Sequence, residues 1–180
     1  EELMVVAGIN DWPRRVRELR KEFGWSILNG ITAKEMAKEE EFEIQGVNAA
    51  SLGPDHYILA DTHQDREAAF RWKIANEIRR KKTSVRDKIL EFLRKNAGKV
   101  VTGEELRYVA KDKTEWARRT RELRTEYGWP VVTRNSGRPD LPIGSYILEQ
   151  DRQSPSHDRK IPDAVRGAVL RRDQYRCKEC

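Results

Sequence analysis

Apolar positions recur at helical spacing in two stretches of the chain that share one frame. On a wheel of about 100° per residue, Trp12, Val16, Leu19 and Phe23 fall on one narrow face. Arg14, Arg17 and Lys21 lie opposite, with Arg15 and Arg20 on the flanks. In the second stretch Trp116, Thr120, Leu123 and Tyr127 form the inner face, Arg118 and Arg121 point outward, and Arg119 and Arg124 flank them. The offset is a constant 104 residues, from Arg14 to Arg118 and from Trp25 to Trp129. A repeat fixes architecture before any other feature, and two copies are too few for a solenoid. Two related small domains in tandem are therefore expected. Pro13 suits a first helical turn, Thr114 is the expected N-cap of the second helix, and Gly24 and Gly128 supply the left-handed residue that ends each.

The flanking patterns extend both copies. Short helices beginning Glu-Glu-Leu precede each basic helix, at Glu1–Leu3 and Glu104–Leu106. Helix, tight turn and basic helix is the helix-turn-helix plan. Val85, Ile89, Leu90, Phe92 and Leu93 predict a further helix ahead of the second copy, capped by Ser84 and ended by Asn96-Ala97-Gly98, with a short strand at Val100–Thr102. The first copy has no counterpart, which places one upstream of Glu1. After each basic helix two β-favouring runs are joined by a loop, Gly/Pro/Asn-rich in the second copy: Trp129–Thr133 with Ser145–Leu148, and Trp25–Leu28 with His56–Leu59. Three helices and a terminal hairpin make a winged helix. The first hairpin loop is 15 residues longer and holds an acidic, helix-prone insert at Ala33–Glu41, expected as solvated decoration away from DNA or against a partner.

Phe70, Ile74 and Ile78, with Ala75 on the same side, predict a connecting helix that closes on the basic cluster Arg79–Lys82. That cluster fits helix-end capping and phosphate contact equally. Polar residues 150–160 read as a linker. The expected class is thus α+β, mainly α with small β hairpins: a first winged-helix domain at 1–62, a connecting helix at 63–83, a second winged-helix domain at 84–149, the linker at 150–160, and a further domain opening at 161–180.

Hydrophobic residues are 37% of the 180, enough for two small cores rather than one generous one. The formal net charge is +6, which admits a polyanionic partner but does not single one out. The outward helix faces say more, because they are basic in both copies and Arg outnumbers Lys. Arg suits bidentate contact with phosphate or guanine. Arg14, Arg15, Arg17, Lys21, Arg118, Arg119 and Arg121 are the expected DNA-binding residues, with Arg134 and Arg138 on the shorter wing. Trp12 and Trp116 belong to the apolar keel and read as core anchors. No apolar run is long enough to span a membrane. No secretory signal is visible, and a C-x-x-C at Cys177 and Cys180 argues for a cytoplasmic metal or redox role rather than a disulfide framework. The chain lacks an initiator Met and stops on a cysteine, and so reads as a fragment.

The C-terminal stretch carries the second specific signal. Ile161-Pro162, a helix with Val165, Val169 and Leu170 inside, Arg172-Asp173 and then Cys177-x-x-Cys180 come in order. This resembles the opening of HNH endonuclease domains that carry a structural zinc. Two thiolates at that spacing can hold half of a tetrahedral zinc site; a redox pair or an unrelated zinc ribbon are the rival readings. The resemblance implies that a metal-dependent nuclease unit follows, using a divalent ion such as Mg²⁺, and it admits a homodimer through that unit. No catalytic residue is expected in this chain. His56, His63 and His157 lie in no nuclease motif. Taken together, the chain resembles the double-stranded-DNA recognition region of an HNH restriction endonuclease, with dependence on a methylated base left open. The alternative is a winged-helix transcriptional regulator with an unrelated zinc module; a protein-binding module is a third reading.

Overall fold

The computed structural model of the protein describes residues 2–8, 11–39, 43, 46–154 and 163–175. The class is α+β, mainly helical with small antiparallel strand pairs. In the first half, α1 (Glu2–Ala7) and α2 (Trp12–Lys21) lead to β1 (Ile27–Asn29), α3 (Gly30–Ala37), a 3₁₀ turn at Ala49–Ser51 and β2 (Tyr57–Leu59). Helix α4 (Ala68–Arg80) leads to the second half: α5 (Val85–Lys95), β3 (Val100–Thr102), α6 (Gly103–Val109), α7 (Trp116–Thr125), β4 (Val131–Thr133) and β5 (Ser145–Leu148). Helix α8 (Asp163–Arg172) follows.

The two hairpins have one register. Ile27, Leu28 and Asn29 face Leu59, Ile58 and Tyr57. Val131, Val132 and Thr133 face Leu148, Ile147 and Tyr146. A one-residue slip would turn every side chain to the other face, so the match means that both hairpins present equivalent side chains to equivalent helices. In the second half a third strand completes the sheet in the order β3-β5-β4.

Local chemistry explains the ends of the helices. Pro13 sits in the first turn of α2, where its missing N–H costs nothing. Ser84 Oγ accepts from the Asp87 amide at the start of α5. Thr102 and Glu105 cap α6 reciprocally. Gly24 and Gly128 have φ of +71° and +68°, and beyond them Trp25 and Trp129 each donate back to Leu19 and Leu123 at 2.9 Å. A side chain at Gly24 would also meet the Asp65 carbonyl oxygen at 1.8 Å. Thr114 does not cap α7: Glu115 holds that position, without a side-chain cap bond.

The buried core runs without a break through both halves, from Leu28, Met36 and Trp72 to Ile89, Phe92, Trp116, Leu123 and Leu148. One continuous core stands where two small ones were expected, and two further expectations need correction. Phe70 is exposed, and the buried stripe of α4 is Ala68, Arg71, Trp72, Ala75 and Ile78. A period read from apolar residues alone missed Arg71, whose burial is sustained by ion pairs to Asp65 at 2.6 Å and Glu105 at 2.8 Å. The acidic insert is not solvated decoration either. Its helix α3 buries Thr32, Ala33, Glu35 and Met36 and packs on α6. Glu35 can be buried because its carboxylate accepts from Trp116 Nε1 at 2.7 Å and Arg107 Nε at 3.0 Å.

Candidate nucleic-acid interface

Each basic helix is anchored by the tryptophan at its first residue. Trp116 is fully buried, and its ring meets Tyr146 edge-on at 6.1 Å. Trp12 meets Tyr57, the equivalent residue of the other hairpin, at 5.5 Å, and is only partly buried. Four residues on, Val16 and Thr120 occupy the inner face, and Thr120 satisfies its hydroxyl by donating to the Trp116 carbonyl at 2.9 Å. The expected keel holds in α7, where Leu123 is fully buried. In α2 it does not: Leu19 and Phe23 are exposed. The two helices share a keel in sequence, but among the described residues the neighbours of α2 cover only its Trp12 and Val16 end.

On the outer side the helices again match. Arg14 Nε and Arg15 Nη1 donate to the two carboxylate oxygens of Glu18, at 3.1 and 2.6 Å. Arg118 Nε and Arg119 Nη1 donate to those of Glu122, at 3.0 and 2.7 Å. All four guanidinium groups stay well exposed, whereas the Glu122 side chain is 7% exposed. One carboxylate thus clamps two arginines, leaving a net positive charge of one per clamp. Each guanidinium has five N–H donors, so donors remain for a ligand. The hydrogen bond from Arg15, joined by Arg14, holds the Glu18 carboxyl below the usual carboxylate range. Burial would raise the Glu122 carboxyl, but the bonds from Arg119 and Arg118 outweigh it and hold it low. The wheel alone passed over the two glutamates and the bonds they accept. The Arg-Arg-x-x-Glu spacing, which sets i,i+3 and i,i+4 partners together, is the signal that could have found them.

Other expected DNA contacts fare differently. Arg17 is exposed on α2. Lys21 does not face outward: its ammonium lies over the rings of Trp72 at 4.8 Å and Tyr108 at 4.3 Å, between the halves. Burial first, and then Arg17 and Arg79, push its pKa down. Cation–π attraction to the two ring faces offsets part of the hydration lost there. Arg20 also turns inward, donating to the Ile27 carbonyl at 2.6 Å and lying 3.6 Å from Glu104. Arg121 pairs with Glu39, just beyond α3, at 3.2 Å, so the acidic insert reaches the second basic helix. Arg124 donates to Ser136 in the hairpin loop. Within that loop Arg134 is exposed and donates to the Leu141 carbonyl. Arg138 is held by Asp140 at 2.8 Å and Glu149 at 3.5 Å, and its hydrogen bonds set the Asp140 carboxyl at about 2. The basic cluster ending α4 acts partly as a brace: Arg79 donates to the Tyr108 carbonyl and to Asp112 at 2.9 Å.

Between the halves lies a cavity of about 190 Å³ lined by Arg20, Trp25, Ser26, Asp65, Arg71 and Trp72 among others. Arg20 Nη2 and Ser26 Oγ are buried there without a hydrogen-bond partner. His56 accepts from the Gly53 amide and His63 contacts Asp61 at 2.8 Å, both local loop contacts. Cys177, Cys180 and His157 lie outside the described residues. Among the described residues no group of three or more His, Cys, Asp or Glu could hold a metal ion, and no helix is long and apolar enough to cross a membrane.

Comparison with known proteins adds a family to this geometry. The chain matches no curated protein, and no solved structure matches it. The family model of the KpnI N-terminal domain matches it in two stretches, residues 1–60 and 86–149, together more than half of the chain. Those stretches contain both basic helices, both clamps and both hairpins. The chain therefore belongs to the KpnI N-terminal domain family, a type II restriction enzyme family.

Proposed function

We propose that this chain is the double-stranded-DNA recognition region of a restriction endonuclease, built as two winged-helix units whose basic helices, α2 and α7, enter the major groove. The observation that carries the reading is the recurrence of the glutamate-clamped arginine pair, Arg14/Arg15 on Glu18 and Arg118/Arg119 on Glu122, on the exposed side of both helices. A clamp fixes two long side chains before any ligand arrives, which reduces the ordering cost of binding. The guanidinium edges left free suit phosphate oxygens or the O6/N7 edge of guanine. Family membership supports the restriction-enzyme setting. The winged-helix assignment is supported by the order helix, strand, helix, helix, strand, strand from α5 to β5 and by the β3-β5-β4 sheet. Two linked units would gain affinity through effective concentration.

Finer parts of the reading rest on the sequence. Helix α8, Arg172-Asp173 and the Cys177-x-x-Cys180 spacing favour an HNH nuclease unit next in the chain. There Cys177 and Cys180 would supply two of four zinc ligands, and a divalent ion such as Mg²⁺ would serve phosphodiester hydrolysis C-terminal to Cys180. Should binding depend on a methylated base, our candidate site is the cavity that Trp25 and Trp72 line, where Arg20 Nη2 lacks a partner.

A binding selection on random duplex DNA, run with methylated and unmethylated pools, tests the reading. Enrichment of a defined motif from either pool is expected, and enrichment from the methylated pool alone would add dependence on the modified base. Duplex binding that is absent, or indifferent to sequence in both pools, would contradict it.

A further inference from the structure

The two halves differ in what covers the helix pair. In the second half α5 packs on both α6 and α7, and β3 packs on α6. Helix α5 buries Ile89, Phe92 and Leu93 and makes more contact with α7 than any other element does. Its Arg86 donates to the Tyr127 hydroxyl and places its guanidinium 4.5 Å above that ring. Strand β3 then pairs with the outer edge of β5, Val101 facing Tyr146, and Gly98 donates to the Leu148 carbonyl at 2.8 Å. In the first half, among the described residues, no strand pairs with that edge of β2.

The exposed residues mark the uncovered face position by position. Leu19 is 39% exposed and Phe23 52%, where Leu123 is buried and Tyr127 lies under Arg86. Leu59 is 54% exposed, where Leu148 is buried. On α1, Leu3 is 39% and Val6 86% exposed, where their counterparts on α6, Leu106 and Val109, are fully buried. Apolar side chains left exposed on packed neighbours such as α1 and α2 mark an interaction site, and an unpaired strand edge is a template for another strand.

We infer that this face of the first half is the seat of a helix–strand segment with the α5–β3 pattern: an amphipathic helix with an apolar stripe on Leu3, Val6, Leu19 and Phe23, then a strand along the outer edge of β2 covering Leu59. The covering residues implied by the second half are aliphatic or phenyl side chains at the positions of Ile89, Phe92 and Leu93, with a cation at the position of Arg86 to sit over Phe23. The inference rests on the structural equivalence of the two halves and not on DNA binding, so its failure and that of the proposed function are separable.

The test grafts a second copy of residues 84–103 directly ahead of Glu1. This keeps the native spacing, because Glu1-Glu2-Leu3 corresponds to Glu104-Glu105-Leu106. A control graft carries Ser at the positions of Ile89, Phe92 and Leu93. The native graft should melt several degrees above the control and slow amide exchange at Tyr57 and Leu59, with side-chain NMR shifts at Leu3, Leu19 and Phe23. Equal melting and equal exchange in the two grafts would overturn the inference. So would shifts of the same residues with protein concentration in the ungrafted chain, which would make a second copy the occupant.

Discussion

Helices α2 and α7 share seven of their ten residues, yet one lies half-open and the other is built into a core. Both begin on a tryptophan edge-on to a hairpin tyrosine, both clamp two arginines on one glutamate, and both end at a left-handed glycine. Below them the halves part. Trp116 is fully buried and donates to Glu35, while Trp12 is only partly covered. A local motif therefore determines the helix, its caps and its i,i+3 and i,i+4 contacts. How far its apolar face is removed from water depends on the neighbours it meets, which for α7 include α5 and, through Glu35, α3.

That contrast can be broken by substitution. Trp116→Ala should cost about 3–5 kcal/mol, because it opens a large cavity and strips Glu35 of one of its two donors. Trp12→Ala should cost about 1–2 kcal/mol, since partial burial recovers only part of a full transfer term. Urea denaturation of the two variants measures the difference, and equal losses would erase the distinction between the halves.

A smaller effect sharpens the comparison between the clamps. Glu18 and Glu122 both titrate below their ordinary range in the folded protein. A depressed carboxyl contributes stability that is fully present above its unfolded value of about 4.3 and is lost as pH falls through the lower folded value. Melting temperature should therefore drop on the acid side of about pH 4.3. Glu122→Gln should flatten that drop, and Glu18→Gln should flatten it less, because the Glu18 side chain is the more solvated of the two. Parallel acid profiles for wild type and Glu122→Gln would remove the clamp from the account.

Much of this was legible in the chain itself. Helical spacing around Val16 and Leu123, the glycines at 24 and 128, and the β-favouring runs gave the helices, their ends and the hairpins, because each depends on neighbours within a turn or on strict alternation. What escaped depends on partners distant in sequence. Arg71 is buried because Glu105 lies 34 residues away. Glu35 is buried because Trp116 lies 81 residues away. Lys21 turns inward because Tyr108 from the other half faces it. Charge on a wheel marks a residue as solvent-facing only when no such partner exists. At the candidate interface, the sequence pattern located the arginines but not that Arg121 would pair with Glu39, or Arg138 with Asp140 and Glu149.

The central claim is that the clamped arginine pairs meet phosphate or base edges of duplex DNA. It is tested most directly by the salt dependence of duplex binding, measured by fluorescence anisotropy for the full chain and for Arg118→Ala/Arg119→Ala. Counterion release predicts that the double variant binds more weakly and that its log–log salt slope is shallower by about 1.8, two phosphate contacts at about 0.9 each. An unchanged slope, or wild-type chain that binds no duplex at low salt, would contradict the account.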